Sequence, residues 1–461
     1  MLETVLTAFV EEVKKKVAEF EQEVTLHSDF RQLEDLMVSL TNQVLATTVT
    51  TVRERVLTRP AWVSALKRFG REHGLRFKGY RSTTVYVYPG LRMPLKSPYF
   101  GPRQKKRGRK KRGPNGRGIH LGLAVLGVVK RGSPQFVSDT GKLAVLCPSF
   151  DLANEVLRDR GISLNVKTIR RYCRDLGEVG LVHRGKISLR DEAALAGQTL
   201  VIGIDGGRIR ERRPKRGRRK QGARHQGYHT NWKEPKLFTS YALDAQGKLV
   251  TAFPPIHDAT MGNDDAVFAV LTAYLQHLDL GLVARIVFLG DGAPWIWPRV
   301  ERLIEAFGLD RSRVYQVLDY AHAAQNLSEI VELVPLKHRQ QTFRRWKTLL
   351  FYGRIAELGD AIRTTLKGGK RTRGVKKWRR YFQKHALRMQ YHTFQTAHIP
   401  CGSGHVESAI RRVINLRLNA PGTLWTRKMA EYFLFLRSQL LSGRWQIFMK
   451  NVSRRWSPAF T

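Results

Sequence analysis

Two apolar runs of the sequence end on an aspartate set among glycines. "TLVIGIDGG" carries Asp205 ahead of Gly206 and Gly207, and "ARIVFLGDGA" carries Asp291 between Gly290 and Gly292. A carboxylate at the end of a buried strand is costly to desolvate unless it meets a partner or a metal ion. A third acid, Glu407, stands in "CGSGHVESAIRRVIN", where Gly402 and Gly404 break the chain. Ser403 is placed to cap the helix that follows, and Glu407 falls in its first turn, where its charge suits a helix N-terminus whatever else it does. Carboxylates offer the hard oxygens that Mg2+ prefers. Two such ions about 4 Å apart promote phosphoryl transfer, one activating a water or a 3′-hydroxyl and the other stabilising the leaving oxygen. The chemistry expected of these acids is therefore phosphodiester cleavage. Asp205, Asp291 and Glu407 would be both the catalytic residues and the ligands of two Mg2+ ions, with Mn2+ as a substitute. The glycines beside the aspartates would let a bulky ligand approach closely.

Composition names the class of partner. The 461 residues include 81 Lys and Arg against 38 Asp and Glu, a formal net charge of +43. Such an excess calls for a polyanion, nucleic acid before an anionic membrane surface. No apolar run approaches the roughly 18 residues of a membrane span, and the N-terminal "MLETVLTAFVEEVKKK" lacks the layout of a signal peptide. A cytoplasmic, nucleoid-associated protein without membrane contact is expected. Cys147, Cys173 and Cys401 are too few and too scattered for a disulfide framework or a zinc knuckle.

The elements that position the acids follow from periodicity. Residues 1–57 repeat Leu2, Val5, Leu6, Phe9, Val10, Val13, Val17 and Phe20 at helical spacing, for packing in their own domain or for dimerisation. "STTVYVYPGLRMP" is strand-like and broken by Pro-Gly, and residues 102–118 are a basic linker without core-forming residues. Residues 149–177 read as two short helices, the first after Ser149 with Leu152, Val156 and Leu157 on one face. The second begins near Asn165, with Val166, Ile169 and Tyr172 inward and Lys167, Arg170, Arg171 and Arg174 outward, the pattern of a DNA-binding helix-turn-helix. From residue 195 the order is three strands, a helix, a strand, a helix and a strand. The second and third strands are expected as a hairpin about the Gln-Gly turn of "KLFTSYALDAQGKLVTAFPPI", and the later helix from the Pro of "PWIWPRVERLIEAFG". This order predicts an α/β fold with a mixed sheet and helices on both faces. A second basic run directly after Asp205 offers Arg208, Arg210, Arg212, Arg213, Lys215 and Arg216 to DNA, and Arg411 and Arg412 follow Glu407 either as phosphate contacts or as a solvated face. Asp264 and Asp265 are expected at a helix cap, and Trp295 and Trp297 in the core or, for one of them, against an unpaired base.

Taken in order, "IGIDGG", "FLGDGAPWIW", "LDYAHAAQNL" and "GSGHVESAIRRVINLRLNAPGTLW" resemble the motif blocks of bacterial insertion-sequence transposases of the DDE type, over roughly residues 195–430. The resemblance implies a ribonuclease-H-like core with Asp205, Asp291 and Glu407 as its acidic triad and a helical insertion before the Glu helix. It also implies a D-x-x-H pair, Asp319 and His322, near the active site as accessory residues. The expected organisation is a helical N-terminal region (1–75), a strand-containing segment with the basic linker (76–118) and a helix-turn-helix domain (119–194). The first part of the core (195–326), the helical insertion (327–400) and the completion of the core (401–461) follow. The function implied is binding of terminal inverted repeats and target duplex, with strand cleavage and strand transfer by a homodimer or higher oligomer. The alternatives are a catalytically silent DNA-binding repressor or another ribonuclease-H-like nuclease such as a junction resolvase.

Overall fold

The computed structural model describes residues 2–23, 30–88, 90–102, 118–186, 192–217, 221–222 and 226–455. The basic linker expected at 102–118 lies almost wholly outside them. The chain divides into two compact units, Met1–Val179 with Gln446–Thr461, and Gly180–Trp445. The division falls inside the helix Val166–Val182, earlier than the boundary expected at 194, and the last helix belongs with the first unit.

In the first unit, helices Leu2–Glu23, Phe30–Thr58 and Pro60–Glu72 precede an antiparallel hairpin of β1 (Leu75–Tyr86) and β2 (Arg92–Pro102). Helices Pro134–Leu146, Phe150–Asp159 and Val166–Val182 follow. Ser149 caps its helix by accepting from the Leu152 amide, and Asn165 accepts from the Lys167 amide. Ala153, Asn154 and Leu157 turn inward on the first helix, while Leu152, expected inward, is exposed. Ile169 and Tyr172 are fully buried on the second, with Tyr172 edge-on to Phe136. Lys167, Arg170, Arg171 and Arg174 face solvent.

The second unit is mixed α/β, built on a five-stranded mixed sheet. The strands are β3 (Thr199–Gly206), then β4 (Ile209–Pro214) and β5 (Tyr228–Lys233) as a separate hairpin. They are followed by β6 (Lys236–Leu243), β7 (Ile256–Thr260), β8 (Arg285–Gly290) and β9 (Val314–Leu318). The sheet order is β7-β6-β3-β8-β9, with β7, β6 and β3 antiparallel in turn and β3, β8 and β9 parallel. Every residue of β6 and β7 is buried, as in a sheet covered on both faces. The turn at Gly247 forms as expected, but beyond it the pairing back to β6 is limited to an isolated bridge of Leu249 to Leu243 and the Val250 amide donating to the Ala242 carbonyl, and no strand follows there among the described residues. The third strand is "IHDAT" instead, with Thr239 opposite His257 and Phe238 opposite Asp258. The helix after β8 begins at Trp297, three residues beyond the proline expected to start it.

Polar pairs inside this sheet secure β7. His257 is buried, its Nδ1 2.8 Å from the Thr239 hydroxyl, and its amide donates to Ser442. Burial, with the Arg412 charge, lowers its pKa to about 4. The unfolded chain takes up this proton near pH 6.5, so stability carried by neutral His257 is present above that pH and is lost as pH falls toward 4. The expected loss is about 3 kcal/mol over that window. Urea titrations of the wild type and His257→Gln between pH 7 and 4 check it: the variant should show a shallower pH dependence, and equal slopes would refute the assignment.

Candidate active site

The parallel pairing of three strands stops in register. Ile204 is opposite Gly290 and Gly290 is opposite Leu318, so the next residues, Asp205 within the last two positions of β3 and Asp291 and Asp319 just beyond β8 and β9, lie near the carboxyl ends of three neighbouring parallel strands. Adjacent strands lie about 4.8 Å apart, and such strand ends are where open α/β sheets gather ligands. The Asp319 amide extends the ladder by donating to the Gly290 carbonyl at 2.8 Å. Asp291 accepts from the Ala293 amide at 2.9 Å, and the buried indole of Trp297 donates to the Asp291 carbonyl, fixing the turn. Trp295 is partly buried against Phe268, with the Lys236 ammonium 4.2 Å above its ring.

The carboxylates differ in environment. Burial raises the Asp205 carboxyl to about 6, and the charges of Asp291 and Glu234 add to that, against a 2.6 Å hydrogen bond from the Gly206 amide and the charge of His322. Asp319 is fully buried; burial alone would raise its pKa, but hydrogen bonds from His322 and Ser403 outweigh this and hold it below the ordinary value. Asp319 caps the helix Tyr320–Val331 by accepting from the His322 amide at 2.7 Å, and the same oxygen lies 3.0 Å from His322 Nδ1. That hydrogen bond, opposed by burial and reinforced by the charges of Asp319, Asp291 and Asp205, raises the His322 imidazole to about 9. At neutral pH a partly exposed imidazolium therefore stands beside three acids.

Glu407 is linked to Asp319 through Ser403. The Ser403 amide donates to Asp319 at 2.6 Å and its hydroxyl donates to Glu407 at 2.8 Å. The hydroxyl caps nothing, contrary to expectation. The helix Gly404–Ala409 can lie against β3 because Gly203 has no side chain: a Cβ there would stand 2.1 Å from Val406. The glycines beside the aspartates receive protein rather than leaving room for a ligand, since a Cβ at Gly206 would meet Glu234 and one at Gly292 would meet Tyr381. Tyr381, from the helical segment between β9 and Glu407, thus lies against the site; burial, with the charges of Asp291 and Asp319, raises its hydroxyl pKa. Nothing in the basic sequence around it marks this role, nor those of Ser403 as a bridge and Glu234 as a neighbour of Asp205. Asn263 caps the helix Asp264–Leu275, and Asp264 and Asp265 in its first turn pair with Arg299.

The acids supply oxygen donors suited to a hard cation. Asp205 and Asp291 carry repelling charges that such a cation would relieve, which is the fit this structure offers. Among the described residues, no group of three His, Cys, Asp or Glu side chains is placed so that it could hold a metal ion. Of the basic residues expected to meet DNA, Arg208, Arg212, Arg213, Lys215 and Arg216 are exposed and Arg210 is half-buried, all on or beside the β4–β5 hairpin. Arg411 and Arg412 are exposed on the π-helical turn Ile410–Asn415. Arg170 lies over the Phe150 ring at 5.3 Å and Arg174 bonds Asp175 at 3.2 Å. Among the described residues, no helix is long and apolar enough to cross a membrane. Comparison with protein families, curated proteins and solved structures returns no match to this chain.

Proposed function

We propose that the chain is a metal-dependent DNA transposase of the DDE type, binding the terminal inverted repeats of its own element and catalysing strand cleavage and strand transfer. The observation that carries the reading is the matched register that places Asp205, Asp291 and Asp319 near the carboxyl ends of β3, β8 and β9, with Glu407 linked to Asp319 through Ser403. The strand order, three antiparallel strands followed by two parallel to the first, is the reason for reading the core as ribonuclease-H-like. The bacterial setting, two Mg2+ ions and a homodimer or higher oligomer holding two element ends belong to the same reading.

Asp205, Asp291 and Glu407 would hold the metal, which when bound supplies Lewis acidity and an activated water or 3′-hydroxyl. Asp319 positions: its two oxygens orient His322 and Ser403, and Ser403 orients Glu407. The His322 imidazolium presents positive charge to an approaching phosphodiester. Incubating the purified chain and Mg2+ with labelled duplex carrying the DNA that flanks its gene tests the reading. Site-specific nicks at repeat ends are expected; intact duplex despite binding would defeat it.

The helix Val166–Val182 is the element proposed to read the repeat. Replacing Arg170 and Arg171 together with Ala is expected to weaken repeat binding by about 1–3 kcal/mol for each arginine that reads a base. Both side chains are exposed, so the fold should persist. Fluorescence anisotropy with labelled repeat duplex checks it, and unchanged affinity would remove this helix from recognition.

A further inference from the structure

The β4–β5 hairpin exposes surface that the fold does not use. Ile209 and Glu211 turn inward and are buried, and β4 is fixed by backbone bonds on its free edge, Arg212 N–H to Trp425 at 2.8 Å and Trp425 N–H to Arg210 at 3.0 Å. Strand alternation then puts Arg210 and Arg212 on the outer face with their partners Trp232 and Thr230, followed by Pro214 and Tyr228. Trp232 is 54 % exposed and Tyr228 47 % exposed. Two guanidinium groups lie near the Trp232 ring, Arg208 at 4.8 Å and Arg210 at 5.9 Å from its centroid. Among the described residues, neither arginine meets a carboxylate. The Trp232 indole and the Tyr228 ring thus share an outer face with arginines on a strand that buries none of its residues.

The hairpin also has a defined address. It leaves β3 directly after Asp205, and β5 returns into β6 through Glu234, the residue packed at Gly206 whose charge bears on Asp205. Between Gly207 and Lys233 the sequence has one acid, Glu211, which is buried and paired with Arg213. The surface thus pairs strong positive charge with an open aromatic face, beside the acids. Arginines alone would suit the phosphates of a duplex. An exposed indole beside guanidinium groups suits a base that has left its stack, because aromatic rings and guanidinium groups both stack on bases of any identity.

We infer that Trp232, with Arg208 and Arg210, is a stacking platform for an unpaired nucleotide of the DNA next to the phosphodiester held at Asp205 and Asp291. The inference rests on the DNA-processing reading and adds to it the local state of the substrate: the duplex is opened at the reaction site, and the platform holds one extruded base while Arg208, Arg210 and Arg212 meet the adjoining phosphates. Base extrusion costs least where pairing is already lost, so the platform gives a preference for unpaired over paired DNA.

The test is binding without divalent metal, in EDTA, so that it does not depend on cleavage. Duplexes identical except for one unpaired 2-aminopurine are titrated with wild type, Trp232→Ala and Trp232→Phe. The wild type should prefer the unpaired duplex by on the order of tenfold and quench the 2-aminopurine on binding. Trp232→Ala should lose both preference and quenching while keeping its affinity for the paired duplex, and Trp232→Phe should keep most of both. Equal affinity of the wild type for the two duplexes, or retained preference in Trp232→Ala, overturns the platform and leaves the transposase reading standing. Failure of the wild type to bind any DNA overturns both.

Discussion

Asp291→Asn is expected to bind DNA as the wild type does and to lose Mg2+-dependent strand cleavage by on the order of a thousandfold. The substitution keeps shape and removes charge. The turn that holds the side chain depends on backbone groups, the Trp297 indole on the Asp291 carbonyl and the Ala293 amide on a side-chain oxygen that Asn retains. The loss would therefore fall on the ligand and not on the fold. Asp205→Asn and Glu407→Gln should behave alike, and double variants should be little worse than single ones, because groups acting as one unit are not additive. Ser403→Ala makes a sharper comparison: it keeps the amide that Asp319 uses and removes only the hydroxyl that orients Glu407, so it should retain intermediate activity. Labelled-duplex cleavage, with unfolding curves run alongside, reads all of these, and near wild-type cutting by any one variant removes that residue from the site.

Arg184→Met is expected to be the most damaging single change to the stability of the second unit, by about 3–5 kcal/mol. Arg184 donates to both oxygens of Asp258, at 2.8 and 2.5 Å, to Glu431 at 3.0 Å and to the Ala259 carbonyl. Asp258 is fully buried in β7, and Tyr274 donates to it at 2.9 Å. Burial alone would lower the arginine's pKa, but these carboxylates outweigh it and raise it. Methionine fills much of the volume and leaves Asp258 charged, buried and short of its counterion, the situation that makes breaking a buried ion pair costly. Asp258→Asn in the same chain should recover part of the loss, since it removes the orphaned charge. Hydrogen exchange of the β6 and β7 amides measures this directly: protection should fall by two to three powers of ten in Arg184→Met, and unchanged protection would show that the pair is dispensable.

What could be read ahead of the structure was whatever rests on local pattern. The apolar runs before Asp205 and Asp291 are strands whose hydrophobic residues are buried on both sides, the shorter run before Asp319 is buried at Val317 and Leu318, and Ser149 and Asn165 mark helix starts through their own side chains. β7 escaped because "IHDAT" follows two prolines and carries a histidine and an aspartate. Those side chains are buried only because Thr239, Arg184 and Tyr274 arrive from elsewhere to satisfy them. The arginine-rich run after Asp205 carries no strand signal because its residues do not alternate in polarity. It forms β4 and β5, which pair with each other, while Trp425, some two hundred residues on, supplies backbone partners to the other edge of β4. The site divides in the same way. Asp205 and Asp291 announce themselves at strand ends, whereas the bridge from Asp319 through Ser403 to Glu407 depends on a loop brought back by the bond from the Tyr320 amide to the Cys401 carbonyl, which no spacing encodes.

The central claim, that the acids direct a 3′-hydroxyl onto target DNA, is tested most directly by strand joining. The purified chain is mixed with a pre-cut duplex ending in the flanking sequence of its gene, a supercoiled target plasmid and Mg2+, and covalent joining of the labelled strand is measured. The account predicts joined product with a 3′-hydroxyl end, none with a 3′-deoxy end, and none when EDTA replaces the ion. Joining that persists with the 3′-deoxy end or in EDTA, or no joining by a wild-type chain that binds the end, would contradict it.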